Sequence, residues 1–133
     1  MGLTAAKPLG IPMEQNVRLS SKPRNPEKDA LISDPSMYRH LMGKLSYLTV
    51  TRHDISFVVQ ALSQFMNELR RSHYTVATRV VRYLKGCLGL RIRLAATQNA
   101  QLECFVDADW GTCLDAKRSV TGYVVKFGGS PIS

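Results

Sequence analysis

The chain has 133 residues, of which 44% are hydrophobic and 21% are charged, a composition that suits one ordinary domain or parts of two and excludes a disordered chain. No apolar run is long enough for a membrane span, and residues 1–20 lack the apolar stretch of a secretory signal, so we expect an intracellular protein with no membrane partner. Three cysteines without a CxxC pair favour reduced thiols over a disulfide framework or a zinc site.

The net charge of +8 is concentrated in the middle of the chain. Residues 37–93 hold ten Lys or Arg and two Asp or Glu, whereas residues 94–133 hold three and four. A basic segment beside a slightly acidic one suggests a polyanion partner, most simply nucleic acid. A basic face that is merely solvated is the alternative.

Residues 1–33 are predicted to be irregular, with an extended lead-in followed by a mobile loop. Four prolines remove backbone donors and favour extended conformations in the residues before them. They are Pro8, Pro12, Pro23 and Pro26.

Residues 34–86 predict three amphipathic helices with short connections, which should pack as an antiparallel bundle. In the first helix Asp34 can cap the free amides, and the poor helix formers at residues 49–51 should end it. The second helix should start at Asp54, and its apolar residues recur at intervals of three and four as far as Leu69.

The third helix should be capped by Ser72 and end at Gly86. His73 lies near its start, where a packing or capping role is expected rather than catalysis. No Ser/His/Asp or Cys/His arrangement has the spacing of a catalytic site.

After Gly86 the apolar period changes from 3.6 to 2, which predicts extended strands. Residues 87–101 are interpreted as a connecting strand and turn, and residues 102–133 as an antiparallel meander that breaks off at Ser133. Cys104 points to the same side as Leu102 and Val106 and is expected to be a buried small hydrophobe. A loop is expected over Trp110–Arg118, where packing of Trp110 over the sheet is the simplest expectation.

Four stretches, in this order, resemble the Pol polyprotein of Ty1/copia-type retrotransposons. "AKPLGIPMEQNVRLS" is similar to the extended segment after the reverse-transcriptase palm, and "YRHLMGKLSYLTVTRHDISFVVQALSQFMN" and "SHYTVATRVVRYLKG" resemble the thumb-region helices. "LECFVDADWGTCLDAKRSVTGYVVKFGGSPIS" resembles the first strands of ribonuclease H. The chain departs from the family pattern at residues 51–55, 67–74 and 110–112, and such drift fits a decayed copy.

The resemblance implies an α+β fold. Its parts are an extended lead-in over residues 1–33, a three-helix thumb-like bundle over residues 34–86, a connection over residues 87–101, and the first antiparallel strands of a truncated ribonuclease H-like domain over residues 102–133.

By resemblance, Asp107 occupies the first catalytic carboxylate position of ribonuclease H, where several carboxylates hold two Mg²⁺ ions. Asp109 is a second, weaker candidate for a metal ligand, because acids two apart on an extended chain point the same way. Without the family context, a strand-ending Asp107 that caps a turn would be favoured. The other carboxylates are expected beyond Ser133, and no Y-x-D-D polymerase motif occurs. We therefore expect neither enzymatic activity nor a cofactor from this chain alone.

In this family the thumb region is expected to grip the backbone of an RNA–DNA hybrid or primer–template. The resulting candidates for phosphate contact are cations around and on the third helix. They are Arg70, Arg71, Arg79, Arg82 and Lys85.

The leading interpretation is therefore a fragment of a copia-type polyprotein, whose parent carries out RNA-directed DNA synthesis and cleaves RNA in RNA–DNA hybrids. Its partners would be nucleic acid and the remainder of the polyprotein. The alternative is a stand-alone small basic module, derived from that segment, that binds nucleic acid or another protein. A secreted effector is disfavoured by the missing signal and the odd number of cysteines.

Overall fold

The structure is a computed structural model that describes residues 5–15, 17, 19–22, 27, 29–96, 100–109 and 120–133. The chain divides into two compact units, residues 1–90 and residues 91–133, and each is described by itself. The first unit holds the helices and the second a three-stranded antiparallel sheet, so the α+β class is confirmed. No helix among these residues is long and apolar enough to cross a membrane.

Helix α1 (Ser36–Leu48) ends where its sequence predicts but starts one residue later, because Pro35 and not Asp34 occupies the N-cap position. The Asp34 carboxylate accepts the backbone N–H of Ser36 at 2.9 Å, which satisfies one of the amides that a helix start leaves free. The helix ends before Thr49, in the run of poor helix formers. Its inner face follows the helical period and consists of Tyr38, Met42 and Leu45.

Helix α2 (Ser56–Ser63), which follows a 3₁₀ turn at His53–Ile55, is much shorter than predicted. The expected continuation to Leu69 is wrong, although Leu69 is buried as its spacing requires. The chain leaves the helix because the carbonyl of Leu69 accepts the N–H of Ile32 at 2.9 Å, and Arg70 forms a β-bridge with Leu31. Partners far away in sequence have overridden the local helical pattern.

The expected cap of α2 is also wrong. Asp54 lies inside the 3₁₀ turn, and no side chain caps α2. The carboxylate of Asp54 instead accepts two hydrogen bonds from the Arg52 guanidinium.

Helix α3 (Arg71–Gly86) ends at the predicted glycine. The prediction that Ser72 caps it is wrong, because the N-cap position is occupied by Arg70. Ser72 lies in the first turn, and its N–H and hydroxyl each donate to the Asp29 carboxylate at 2.8 Å. The negative group at this helix start therefore comes from a residue 43 positions earlier in the chain. His73 accepts the backbone N–H of Arg70 on Nδ1 at 3.3 Å, as its expected capping role requires.

The core of the first unit is shared by all three helices and by the segment that precedes them. The imidazole of His73 is fully buried and stacks on the ring of Phe65, with 3.9 Å between the ring centroids, so its expected packing role is confirmed. The described part of the lead-in contains no helix or strand of its own, and four of its apolar side chains pack against this core. They are Met13, Val17, Leu19 and Ile32.

The sheet of the second unit is the predicted meander. Strand β1 (Leu102–Asp109) pairs antiparallel with β2 (Val120–Phe127), which pairs with the short β3 (Ser130–Pro131). Gly128 and Gly129 make the second connection with positive φ angles of 54° and 78°, which glycine adopts without a Cβ penalty. The predicted loop over Trp110–Arg118 lies outside the described residues.

Two expectations for the second unit are not met. Residues 90–96 take no strand conformation, so the connecting strand predicted within residues 87–101 is absent from the part of that range that is described. An alternating pattern supplies no strand without a neighbour to pair with. Cys104 is exposed rather than buried, because described side chains on both faces of the sheet face solvent, Phe105 on one and Val106 on the other.

A truncation within α2 tests the core. Replacing Leu62 (0% exposed) by Ala should lower the free energy of unfolding by about 2–5 kcal/mol, because it removes buried methyl groups and leaves a cavity. Phe57 on the same helix is 59% exposed, so Phe57→Ala should cost less than about 1 kcal/mol. Urea unfolding followed by circular dichroism measures both, and equal losses would contradict the proposed core.

Candidate nucleic-acid interface

Three of the predicted phosphate-contacting cations lie on one face of α3 and hold the lead-in. We call the described residues 5–15, 17 and 19–22 the amino-terminal strap. Arg79 pairs with Glu14 at 2.6 Å. Arg82 donates from Nε to the carbonyl of Lys7 at 2.9 Å, and Lys85 donates from Nζ to the carbonyl of Ala6 at 3.0 Å. In this conformation these cations bind the chain's own backbone and one carboxylate.

The other two predicted cations lie at the start of α3 and differ in exposure. Arg70 is half-buried and donates to the carbonyls of Ser21, at 2.8 Å, and Asp29, at 3.1 Å. Arg71 is exposed. Four of the five candidates therefore contact the segment before α1 through their side chains. The side chain of Arg71 faces solvent, and only its backbone N–H reaches that segment, donating to the carbonyl of Ala30 at 3.2 Å.

Arg52 is a further cation of the basic segment that is withdrawn from the surface. Its guanidinium donates to both carboxylate oxygens of Asp54, at 2.9 and 2.7 Å, and to the carbonyl of Cys87 at 2.9 Å. The hydroxyl of Tyr83 donates to the same carboxylate at 2.7 Å. This network ties the α1–α2 connection to the end of α3.

The network shifts the ionisation of its members. The hydrogen bonds from Arg52 lower the pKa of the Asp54 carboxyl below its ordinary value, with a smaller contribution from Tyr83. The hydrogen bond to Asp54 raises the pKa of Tyr83 to about 12, with a smaller effect of burial. At neutral pH the network thus holds one carboxylate, one guanidinium and a neutral phenol.

The solvent face of α1 carries a shallow, open depression lined by residues of this helix, which we call the α1 groove. Its volume is about 670 Å³, and its lining contains two cations, one histidine, one tyrosine and no acid. Tyr47 is 81% exposed, and Gly43 leaves open space between its neighbours. The lining residues are Arg39, His40, Gly43, Lys44, Tyr47 and Leu48.

A signal for this groove was present in the sequence. Arg39, Gly43 and Tyr47 are spaced four apart and fall outside the apolar stripe of α1, so they share a face. The predicted cations lie on and around α3 instead. A sequence does not show which cations already bind carbonyls or carboxylates of the same chain.

Both metal-ligand candidates lie on β1. Asp107 is exposed and opposite Gly122 in the register, and Asp109 is the last residue of the strand. Among the described residues no group of three or more His, Cys, Asp and Glu could hold a metal ion. The carboxylate of Asp107 alone provides too few ligands for a centre of two Mg²⁺ ions.

Comparison with known proteins finds relatives over nearly the whole chain. The chain is 37% identical over 131 residues to the retrovirus-related Pol polyprotein from transposon RE1 of Arabidopsis thaliana, an alignment that covers 98% of this chain and 9% of the polyprotein. It is 33% identical over 132 residues to an uncharacterized mitochondrial protein of the same plant, covering 99% of this chain and 52% of that protein.

A shorter alignment, 33% identical over 97 residues, relates it to the secreted RxLR effector protein 161 of Plasmopara viticola and covers 72% of this chain and 68% of the effector. The chain thus spans about a tenth of the polyprotein it matches and about half of the mitochondrial protein. No protein-family model matches the chain. No solved structure matches it either.

The Arg52–Asp54 network predicts acid-sensitive stability. The pKa of Asp54 is lower in the folded state than its ordinary value of 3.8. The ionised carboxylate therefore stabilises the folded state fully above pH 3.8, and this stabilisation is lost as the pH falls through the lower pKa of the folded state. Asp54→Asn should lower the free energy of unfolding at pH 7 by about 1–3 kcal/mol, and it should flatten the fall in stability below about pH 4.

Urea unfolding at pH 7 and pH 3 measures both effects of Asp54→Asn. Glu68→Gln is the matched control, since Glu68 is exposed and its substitution should leave both values unchanged. An Asp54→Asn variant with the same acid sensitivity as the original chain would contradict this role of the network.

Proposed function

Because the chain belongs to the Ty1/copia-type retrotransposon Pol polyproteins, we propose that it is the region behind the reverse-transcriptase palm, with thumb-like helices in residues 34–86 and opening strands of a ribonuclease H-like domain in residues 102–133. The order of elements supports this proposal, since three helices precede an antiparallel meander. The parent activities would be RNA-directed DNA synthesis and cleavage of RNA in RNA–DNA hybrids.

The contribution of this chain to those activities is to bind nucleic acid through the groove on α1. The observation that carries this proposal is the composition of the groove, in which Arg39, Lys44 and an exposed Tyr47 occur together without an acid. Cations bind phosphates by charge and by release of counterions, and an exposed aromatic ring can contact a base or sugar. The groove therefore suits a nucleic-acid backbone better than a basic or purely apolar partner.

The length of the groove also suits this partner. Arg39 and Tyr47 are eight residues apart on one helix face, a distance of about 12 Å along the axis. This corresponds to three or four steps of a duplex at about 3.4 Å each. Gly43 lies between them and has nothing within 4 Å of the position of a Cβ, so a partner can approach the helix backbone there.

The nuclease chemistry is proposed for the complete polyprotein and not for this chain alone. There Asp107 would supply one carboxylate to a pair of Mg²⁺ ions, with Asp109 as a second candidate. Bound Mg²⁺ aligns the attacking water and stabilises the leaving oxygen in such reactions. Asp107 would be one of several ligands that bind these ions, because a single carboxylate cannot hold two Mg²⁺ ions in place.

A stand-alone binding protein derived from the same segment is the second candidate. It is favoured by relatives outside the polyproteins, namely the mitochondrial protein that the chain half covers and the effector that it covers by 68%. The α1 groove would bind its partner in either setting. The two candidates differ in the part that the sheet unit plays, since only the polyprotein uses Asp107.

Substitutions in the α1 groove test nucleic-acid binding. Lys44→Gln should weaken binding to a 20-base-pair RNA–DNA hybrid about 3- to 10-fold at low salt, and it should reduce the slope of log affinity against log salt by about one. Tyr47→Ala should weaken binding to a hybrid with a single-stranded extension by at least about fivefold, because base or sugar contact is lost. Fluorescence anisotropy over a salt series measures both effects.

Lys22→Gln is the matched control for Lys44→Gln, because Lys22 is exposed and lies outside the groove. It makes the same charge change and should alter the affinity less than twofold. If both lysine variants lose affinity equally, binding is nonspecific attraction to a basic protein and the groove has no special role.

The nuclease role of Asp107 is tested in a Pol polyprotein that contains this segment. Asp107→Asn should abolish Mg²⁺-dependent cleavage of RNA in a hybrid, because an amide is a far weaker ligand for Mg²⁺ than a carboxylate. DNA synthesis on an RNA template should persist. Glu103→Gln on the same strand is the control and should retain cleavage, so equal loss in both variants would contradict a specific role for Asp107.

A further inference from the structure

The amino-terminal strap follows one face of α3 and is fastened to it at several levels. The carbonyls of Ala6 and Lys7 accept hydrogen bonds from Lys85 and Arg82. Further along the strap Glu14 pairs with Arg79. The strap thus contacts the side chains of four of the five cations that the sequence assigned to phosphate contact.

The fit of the strap depends on the absence of a side chain at Gly86. A Cβ at this position would lie 3.1 Å from the Cβ of Pro8, closer than most Cβ contacts, so Pro8 would have to shift, and it would lie at an ordinary contact distance of 3.5 Å from the carbonyl oxygen of Leu9. The N–H of Leu9 donates to the carbonyl of Arg82 at 3.4 Å. Close approach of two backbones is one of the uses of glycine.

The contacts that hold the strap are of a kind that phosphate can replace. Arg82 and Lys85 donate to neutral carbonyls, whereas phosphate oxygens carry charge and can accept two parallel bonds from a guanidinium. The carboxylate of Glu14 is 60% exposed, so solvent screens its attraction to Arg79. The buried Nε of Arg79 makes no hydrogen bond to any described residue while the strap lies on α3. No hydrogen bond therefore compensates for the free-energy cost of removing this group from water.

The two ends of the strap differ in how firmly they are held. Met13, Val17 and Leu19 pack against the core, which anchors the later part of the strap. Residues 5–12 carry no member of this core and are attached mainly at the last turns of α3. The earlier part can therefore lift without opening the core.

We infer that residues 5–12 of the strap are a gate over a second nucleic-acid-binding surface, formed by Arg79, Arg82 and Lys85 on α3. This inference rests on the proposed function, in which the α1 groove binds nucleic acid. In the closed position the cations bind the strap, and α1 supplies the accessible surface. When residues 5–12 lift and Glu14 swings away, the same cations bind phosphates and the footprint extends to α3.

Two substitutions open the gate in the full chain by different routes. Gly86→Ala places a Cβ against Pro8 without changing charge, and Glu14→Gln removes the ion pair with Arg79. Each should tighten binding to a 20-base-pair RNA–DNA hybrid about threefold, and the double variant about tenfold. The double variant should also steepen the slope of log affinity against log salt by about two, because more phosphates are neutralised.

Matched controls separate opening from generic effects. Gly89→Ala makes the same change at a glycine with nothing within 4 Å, and Glu27→Gln makes the same charge change at another exposed acid. Both should leave the affinity within twofold of the original chain. Adding Arg82→Gln to the double variant should remove most of the gain, since the gain depends on the exposed α3 cations.

Hydrogen exchange of residues 5–12 reports the gate directly, and these amides should exchange faster in the double variant. Faster exchange without tighter binding would overturn the gate while leaving the α1 groove intact. Unchanged exchange would show that these contacts do not hold the strap, and a gain that survives Arg82→Gln would exclude the α3 surface. If no variant and not even the original chain binds the hybrid, the proposed function fails as well.

Discussion

The contact between the segment before α1 and helix α3 is the constraint on which the rest of the first unit depends. Asp29 caps α3 through Ser72, and Arg70 reaches back to the carbonyls of Ser21 and Asp29. The pairing of Ile32 with Leu69 ends the helical course that α2 would otherwise continue. An irregular segment therefore fixes where two of the three helices begin or stop, because it satisfies backbone groups that the helices leave free.

The same contact decides which positive charges are accessible. Net charge indicates that a polyanion is a plausible partner, but it does not locate the surface, because a cation can be used inside the fold. Arg52 lies buried against Asp54, and Arg79 pairs with Glu14. Lys44 and Arg39 on α1 are exposed, beside a tyrosine that no core contact requires, although the Nε of Arg39 donates to the carbonyl of Met66 at 3.2 Å. The proposed interface thus moves from α3, where one of the four cations, Arg71, is exposed, to α1, where Arg39 and Lys44 are both exposed.

The features that the sequence predicted correctly are those with a short-range cause. The glycine at the end of α3, the carboxylate of Asp34 at the start of α1 and the two-residue period of β1 all act within a few residues. The errors share a long-range cause. The length of α2, the cap of α3 and the exposure of Cys104 depend on Ile32, on Asp29 and on what covers a sheet, none of which a local pattern contains.

The two units of the chain differ in how many of their apolar side chains are buried, and this bears on their proposed roles. The helical unit has a buried core that includes a fully buried histidine, so it can present a binding surface on rigid helices. In the sheet unit, described side chains on both faces, such as Phe105 and Val106, remain more than half exposed. A three-stranded sheet gains independent stability from packing against another layer. A metal centre likewise needs ligands besides Asp107, so in the proposed polyprotein the same additional layer that covers the sheet would bring the remaining carboxylates to β1.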